Sequence, residues 1–416
     1  MTAYDVQHTG ANPNETVLGP TDVKSLGQSW RTSVGAVGNQ YPYVDTSPVV
    51  AAGVQVGSTS VDVLYAGNEN GNLVAVDAGT GAVVWQRALG WQIGPSANPS
   101  CSSSPFGIAD SPVIDRTSNR LYVVDGRTQL WGLDLSTGAT APGYPVSISS
   151  PSTTNYDHVW SGLNEVNGRI YIPVASECDA GPYRGRLVVV DAATAAIAST
   201  FYVNGPTGAT GGGIWGWGGV SFDTTAQHIY RPREDALGPN PNAGYSDSVV
   251  RLDTSDLHIS ASNDPGIKGA DSDFGSTPVL FQQAGCPAQL AVQNKNGNLY
   301  LYDQGKTGHG PVQALQVSVT KGGSFIGDAA WSAAAKLLFV VVASGLAPYP
   351  SGLLAFKLVP SGSTCKLSLD WETPLGPPCG ARRCLARSRR RPSSSTGTCT
   401  SWITPAISTR SVWAGP

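Results

Sequence analysis

The feature that most constrains this chain is a repeat. "DVLYAGNENGNLVAVDAGTGAVVW" begins at Asp62 and "NRLYVVDGRTQLWGLDLSTGA" at Asn119. "GRIYIPVASECDAGPYRGRLVVVDAATAA" begins at Gly168, and "QHIYRPRED" with "DSVVRLDTSDL" follows. "AQLAVQNKNGNLYLYDQGKTG" begins at Ala288 and "AKLLFVVVASGLAPYPSGLLAFKL" at Ala335. Each unit holds two short runs that alternate apolar and polar residues across a turn. Alternation with period two means strands that bury one face, not helices. The second run usually ends in Asp, at Asp77, Asp134, Asp191, Asp253 and Asp303. Another short strand opens most units, at Ser47-Pro48, Ser111-Pro112, Ser161-Gly162 and Thr277-Pro278.

Four short strands per unit, recurring about every 50–60 residues, predict an all-β propeller of four-stranded antiparallel blades. Closing such sheets into a ring protects edges that would otherwise pair with other chains. Six units are legible. The stretch "VKSLGQSWRTSV" (Val23–Val34) reads as an isolated outer strand that completes a last blade, so seven blades are expected, with eight the alternative. The Asp-x-x-Thr-Gly turns suit carboxylate capping of backbone N–H groups, and Gly81 permits positive φ. Trp85 supplies a broad apolar face. Repeated in most units, these residues hold the fold and are not themselves a ligand site.

Composition narrows the function. Gly (50) and Pro (30) are abundant, as many turns require. No apolar run reaches the length of a membrane-spanning helix, about 18 residues. Residues 377–416 carry seven Arg and no acid, which leaves 19 basic against 29 acidic residues in 1–376. An acidic body argues against a nucleic-acid partner. Cys101, Cys178, Cys286 and Cys365 form no Cys-x-x-Cys pair. Their even number predicts two disulfides, Cys101–Cys178 and Cys286–Cys365 by order of occurrence, and an oxidising, extracytoplasmic setting. Met1 leads into "TAYDVQHTG" without a basic and apolar leader, so the export signal is expected to lie outside this sequence.

The tail from 377 to 416 has no strand pattern and six Arg within Arg382–Arg391. One reading is a basic binding arm. The other is a shifted reading frame in G+C-rich DNA, which would leave the last blade, and so the ring, incomplete. The expected organisation is a propeller over 1–376 and an aberrant tail over 377–416.

The pattern A-x-D-x-x-T-G-x-x-x-W resembles the repeat of pyrroloquinoline quinone (PQQ) propellers. These include quinoprotein alcohol dehydrogenases, secreted polyvinyl-alcohol-dehydrogenase-like chains and the cofactor-free lipoprotein of the outer-membrane assembly machine. The resemblance spans residues 4 to about 376. It implies PQQ and Ca²⁺ on the propeller axis, an Asp as base on an alcohol, and a separate electron acceptor. "VASECDAGPYRGRLVVVD" is similar to the segment whose Glu binds the metal, which points to Glu177. "GGGIWGWGGVSFD" resembles the segment with the floor of the quinone, implying Trp215 with Trp217 behind it. "DSDFGSTPVL" resembles the segment carrying the base, Asp273, or Asp271 if the register slips. "NKNGNLYLYDQGKTG" resembles the strand whose lysine contacts the quinone oxygens, implying Lys295.

The chain departs from that pattern at several points. Cys101 is followed by Ser102, so the adjacent-cysteine disulfide that covers the quinone is missing. The Arg expected soon after is absent from "CSSSPFGIAD". "YRPREDALGPNPN" replaces the segment that brings an Asn to the metal, with Glu234 and Asp235 as substitutes. No Cys-x-x-Cys-His is present, so no c-type haem is expected. The rival reading is therefore a cofactor-free binding or scaffold propeller in the cell envelope, with an envelope protein as partner. His158, in "NYDHVWSG", reads as a structural histidine near the mouth, and the five His show no zinc spacing.

Overall fold

The computed structural model describes residues 2–19, 21–34, 44–93, 105–149, 156–205, 210–231, 244, 245, 247–267, 272–319, 325 and 327–374. Among the described residues six antiparallel sheets of four or five strands succeed one another along the chain, with a two-stranded sheet, Gln92–Ile93 against Pro105–Phe106, between the first two. Blade I comprises Val49–Val56, Thr59–Gly67, Asn72–Asp77 and Val83–Ala88. Blade II comprises Val113–Asp115, Arg120–Val124, Gln129–Asp134 and Val146–Ser147. In blade III both Asp157–His158 and Asn164–Val166 pair with Arg169–Ser176, and Arg186–Asp191 and Ala196–Tyr202 follow. Blade IV comprises Ser221–Phe222, His228–Arg231, Val249–Asp253 and Ile259–Asn263. Blade V comprises Val279–Phe281, Gln289–Gln293, Asn298–Asp303 and Gln313–Gln316. Blade VI comprises Ala330–Ser332, Leu337–Val342, Gly352–Ser361 and Thr364–Pro374. The fold is the expected all-β propeller. Among the described residues no helix is long and apolar enough to cross a membrane.

The inner strands, such as Asn72–Asp77, Arg186–Asp191 and Gln289–Gln293, are buried on both faces, so the core lies between blades. Five buried apolar clusters occupy the junctions I–II, II–III, III–IV, IV–V and V–VI. Around the axis, polar groups stitch the starts of the first strands in sequence. Ser47 N donates to Ser111 Oγ at 3.0 Å, and Ser111 N donates to Ser161 O at 3.2 Å. Gly216 N then donates to Trp160 O at 3.1 Å, Gly218 N to Thr277 Oγ1 at 2.8 Å, and Thr277 N to Asp328 Oδ1 at 2.8 Å. These bonds order the blades I to VI around one axis.

The repeated Asp has a structural role, as expected. Asp77 Oδ1 accepts the N–H groups of Gly79 and Thr80, and Asp134 and Asp191 cap their own turns alike. The carbonyl just after each Asp accepts a side chain of the preceding blade. Trp85 Nε1 donates to Leu135 O at 2.9 Å, and Tyr144 Oη to Ala192 O at 3.1 Å. Arg169 reaches Thr254 O and Arg251 reaches Gln304 O. Trp30 makes the same contact with blade I, its Nε1 2.9 Å from Ala78 O. Two residues on, Thr32 bonds Gly81 O as Arg87 bonds Gly138 O. Trp30 thus sits where the outer strand of a blade before blade I belongs.

The expected outer strand at Val23–Val34 is not a laddered strand. Val23–Ser25 is a 3-10 turn, and the rest runs without a partner strand among the described residues. A strand is defined by its neighbour, and three strands of a seventh blade would have to come from beyond Pro374, outside the described residues. Trp371 occupies the bulge position in blade VI that Trp85 occupies in blade I, paired with Ala355 as Trp85 is with Ala75. It meets no acceptor carbonyl among the described residues and stays 39% exposed.

Cys286 and Cys365 are bonded, as expected, with an S–S distance of 2.00 Å, and tie blade V to blade VI. Cys178 is also disulfide-bonded; its expected partner, Cys101, lies outside the described residues.

Candidate functional site

Antiparallel order puts the start of each first strand at the same end of the blade as the turn between its second and third strands. The candidate residues gather on that face. In blade I, Asn68 Oδ1 accepts the N–H groups of Asn70 and Asn72, closing the turn "NENGN". In blade V, Asn294 Oδ1 accepts Asn296 N in the turn "NKNGN". With the Asn side chains committed to the backbone, the next residue is the one presented to the site. That residue is Glu69 in blade I and Lys295 in blade V.

Lys295 Nζ lies 2.6 Å from Asp273 Oδ2 and 4.8 Å from the centroid of the Trp215 ring. Asp273 is 4% exposed, so the pair is mostly shielded from water. Its backbone carbonyl also accepts Lys295 N at 2.9 Å. Three of the residues singled out in the sequence thus meet, from blades IV and V. Trp217 lies near them through Trp160. The Trp160 and Trp215 rings stack with centroids 5.1 Å apart and planes 10° apart. Trp217 meets Trp160 edge-on at 5.3 Å.

Glu177 begins the 3-10 turn Glu177–Asp179, after the strand Arg169–Ser176. Its Oε2 lies 2.7 Å from His158 Nδ1. His158 packs edge-on against Phe106 at 5.1 Å. Its Nε2 is buried without a hydrogen-bond partner among the described residues. Around this pair lie further acids. Glu69 Oε2 accepts Gly107 N at 2.6 Å, Asp45 lies close enough to Glu69 to interact with it electrostatically, and buried Asp110 accepts Val124 N at 3.0 Å. Burial pushes the Glu69 carboxyl up to about 7, despite His158 and the Gly107 N–H; Asp45 and Glu177 push it further the same way. Burial also raises Asp110 well above the carboxylate range. Burial opposes protonation of His158, but the hydrogen bond and charge of Glu177, with Glu69 and Asp110, outweigh it and raise its pKa. Burial would raise Glu177, but His158 outweighs it and holds Glu177 low.

Asp235 and Asp271, with Glu234, lie outside the described residues. Sequence reasoning passed over Glu69, Asp45, Asp110 and Trp160, and it read His158 as structural. Two signals were available. Glu69 holds the same turn position as Lys295, and Trp160 precedes Ser161-Gly162 as Trp215 precedes Gly216.

Among the described residues, three ligand atoms of acids or histidines come within 4.8 Å of one another only at Asp253, Asp256 and His258, on the outer turn of blade IV, so the acids around His158 do not by themselves form a converged cation site. Four carboxylates crowd one imidazole, and Asp110 Oδ1 is buried without a partner among the described residues. Hard oxygen donors are the type Ca²⁺ takes, but here they are dispersed and Glu177 is already paired with His158. Trp215 offers a flat ring and Lys295 a cation beside it.

The comparisons agree with this architecture. The family model described as outer membrane protein assembly factor BamB (PQQ_2) matches residues 17–141, which hold blade I and most of blade II. No curated protein matches the sequence. Among solved structures, the chain is similar to the quinohemoprotein alcohol dehydrogenase of Comamonas testosteroni, with TM-score 0.61 and 15% identity over 85% of this chain and 58% of that one. It is also similar to a europium-containing methanol dehydrogenase, with TM-score 0.64 and 14% identity over 88% of this chain and 70% of that one. The Dos1 propeller aligns at TM-score 0.50 and 14% identity, over 75% of this chain and 68% of that one. The chain thus spans little more than half of the Comamonas enzyme. At these identities the likeness is one of fold, a PQQ-type propeller.

Proposed function

We propose that this protein is a PQQ- and calcium-dependent dehydrogenase of an alcohol or polyol, small or polymeric, that works outside the cytoplasm and passes electrons to a separate acceptor. The observation that carries this reading is the meeting of Asp273, Lys295 and Trp215 at one point. Bound PQQ, with its carbonyl polarised by Ca²⁺, would supply the oxidant. Glu177 would hold the cation, and Asp235 is the further ligand proposed from the sequence. Trp215 would support the planar ring, with Trp217 behind it, and Lys295 would donate to its oxygens. In its ion pair Asp273 is a proton acceptor, the role a base on the substrate hydroxyl requires. Asp273 is 4% exposed, so its carboxylate is largely shielded from water.

A second reading, a cofactor-free binding or scaffold propeller with an envelope protein as partner, is favoured by two contacts. His158 already engages Glu177, and Trp160 already covers Trp215. Titration of the purified protein with PQQ, with and without Ca²⁺, separates the two. Saturable Trp quenching that needs Ca²⁺ and disappears in Glu177→Ala and Trp215→Ala supports the dehydrogenase. Absence of binding by well-folded protein removes it and leaves the scaffold reading.

A further inference from the structure

One short segment near the start of the sequence bonds the inner edges of three blades. The first strand of a blade gives one edge to the second strand and turns the other toward the axis. There Phe222 N donates to Val6 O at 2.8 Å, Leu280 N to Gln7 O at 2.9 Å and Trp331 N to Thr9 O at 2.8 Å. Residues 6–9 thereby join blades IV, V and VI, and satisfy backbone N–H groups that no strand pairs with. Gly10 N donates to Ala3 O at 3.0 Å and Thr9 N to Asp5 Oδ1 at 2.9 Å, so the segment holds its own shape.

His8 leaves this segment at φ +57°, a left-handed conformation uncommon for a residue with a Cβ, so its surroundings must hold it. Its side chain is fully buried. Nε2 donates to Val220 O at 3.1 Å, a carbonyl that can only accept. Burial lowers the imidazole pKa to about 4 and so keeps the ring neutral. Asn164 stands beside it, with Nδ2 3.3 Å from the same nitrogen and Oδ1 accepting Val220 N at 3.3 Å. His8 and Asn164 together engage both backbone groups of Val220.

Val220 ends the loop 214–220, which carries Trp215 and Trp217. A Cβ on Gly218 would come within 2.5 Å of His8 Nδ1, so the imidazole lies directly against the α-carbon next to Trp217. A Cβ on Gly219 would strike Gly162 O in blade III. The loop has no spare room at these two positions, and the ring of His8 is one of its walls. Through Trp217 the contact reaches Trp160, which stacks on Trp215.

We propose that His8 is a positioning residue: from the axis it sets the loop 214–220 and so fixes where the tryptophans of the site stand. The positioning is a property of the fold. Its effect on a ligand rests on the quinone-binding reading of the site.

The test uses the full chain with His8→Ala, His8→Gln and, as a control, Tyr144→Phe, which loses the bond to Ala192 O at the junction of blades II and III. Gln offers an amide N–H where Nε2 donates. The signal is the near-UV circular dichroism of the Trp160–Trp215 stack, taken as the part that the wild type loses in Trp160→Phe. We expect His8→Ala to lose most of it, and His8→Gln and Tyr144→Phe to keep it. Far-UV circular dichroism and urea midpoints report the fold. Affinity for PQQ with Ca²⁺ should fall on the order of two- to tenfold in His8→Ala, the worth of a well-placed ring contact, and recover in His8→Gln. A signal that depends on His8 in a protein that takes no PQQ keeps the positioning role and removes the quinone. A lower urea midpoint in His8→Ala with the signal unchanged marks a structural histidine and overturns the proposal. If His8→Ala does not fold, Gly218→Ala decides, because it pushes the ring off the loop while His8 stays. Loss of the signal there supports the proposal, and its retention overturns it.

Discussion

Lys295 and Asp273 lie 22 residues apart in sequence and are joined by a 2.6 Å ion pair at the Trp215 ring. The pair is mostly buried, so it matters for stability as well as chemistry. Removing one partner of a buried pair leaves an uncompensated charge, at about 3–5 kcal/mol. We therefore expect Lys295→Met to destabilise the protein more than the double variant Lys295→Met/Asp273→Asn. Urea unfolding of both variants measures this. A double variant that is less stable than Lys295→Met would show that the pair is not coupled.

In the proposed reaction Asp273 takes the substrate proton. Asp273→Asn keeps the shape and removes the base. PQQ affinity should stay within about threefold, since the ring contacts remain, while turnover falls at least about 100-fold. Stopped-flow reduction of bound cofactor, compared with equilibrium titration, separates the two effects.

The acidic pocket makes stability depend on pH. Glu69 has a folded pKa of about 7 against an ordinary 4.5. The folded state therefore binds more protons between those values, and stability falls as pH rises through that window. His158 is raised above 6.5, so its contribution is present below that value and is lost as pH climbs through the folded pKa. Glu177 is lowered, so its contribution is lost only in acid, below 4.5. The melting temperature should be higher near pH 5.5 than near pH 8. Glu69→Gln should flatten the slope between 5 and 7. An unchanged slope in that variant would place the titrating group elsewhere.

The lock between blades can be tested where the ring begins. Trp30→Phe removes the bond to Ala78 O and should cost about 1 kcal/mol, as should Trp85→Phe at Leu135 O. Gly81→Ala should cost more. Gly81 has φ +78°, and an added Cβ would come within 2.9 Å of the Trp30 ring. Equal losses in the two Trp variants, measured by denaturant midpoints, would indicate that Trp30 closes a blade junction as Trp85 does.

The Cys286–Cys365 bond closes a long stretch of chain, its ends 79 residues apart. Cys286→Ala/Cys365→Ala should lower stability by about 2–4 kcal/mol. Differential scanning calorimetry against the wild type gives the value.

Much of this was legible in the chain itself. Period-two alternation, the Asp that caps its own turn and the glycine that follows are local, so each repeat carries its own instructions. From them came the blades and the structural reading of the Asp turns; Glu177, Trp215, Asp273 and Lys295 came from the resemblance to PQQ propellers. What the tertiary structure alone decided is which of these meet. Lys295 finds Asp273 because two turns of one blade face the axis together. Glu177 finds His158, which the sequence had marked as structural, because two strands of blade III end side by side. Trp160 and Trp215 stand 55 residues apart and meet only because the register of Ser161 against Gly216 sets blade III level with blade IV. Contacts across a blade junction depend on how sheets stack around the axis, and no short-range pattern encodes that stacking.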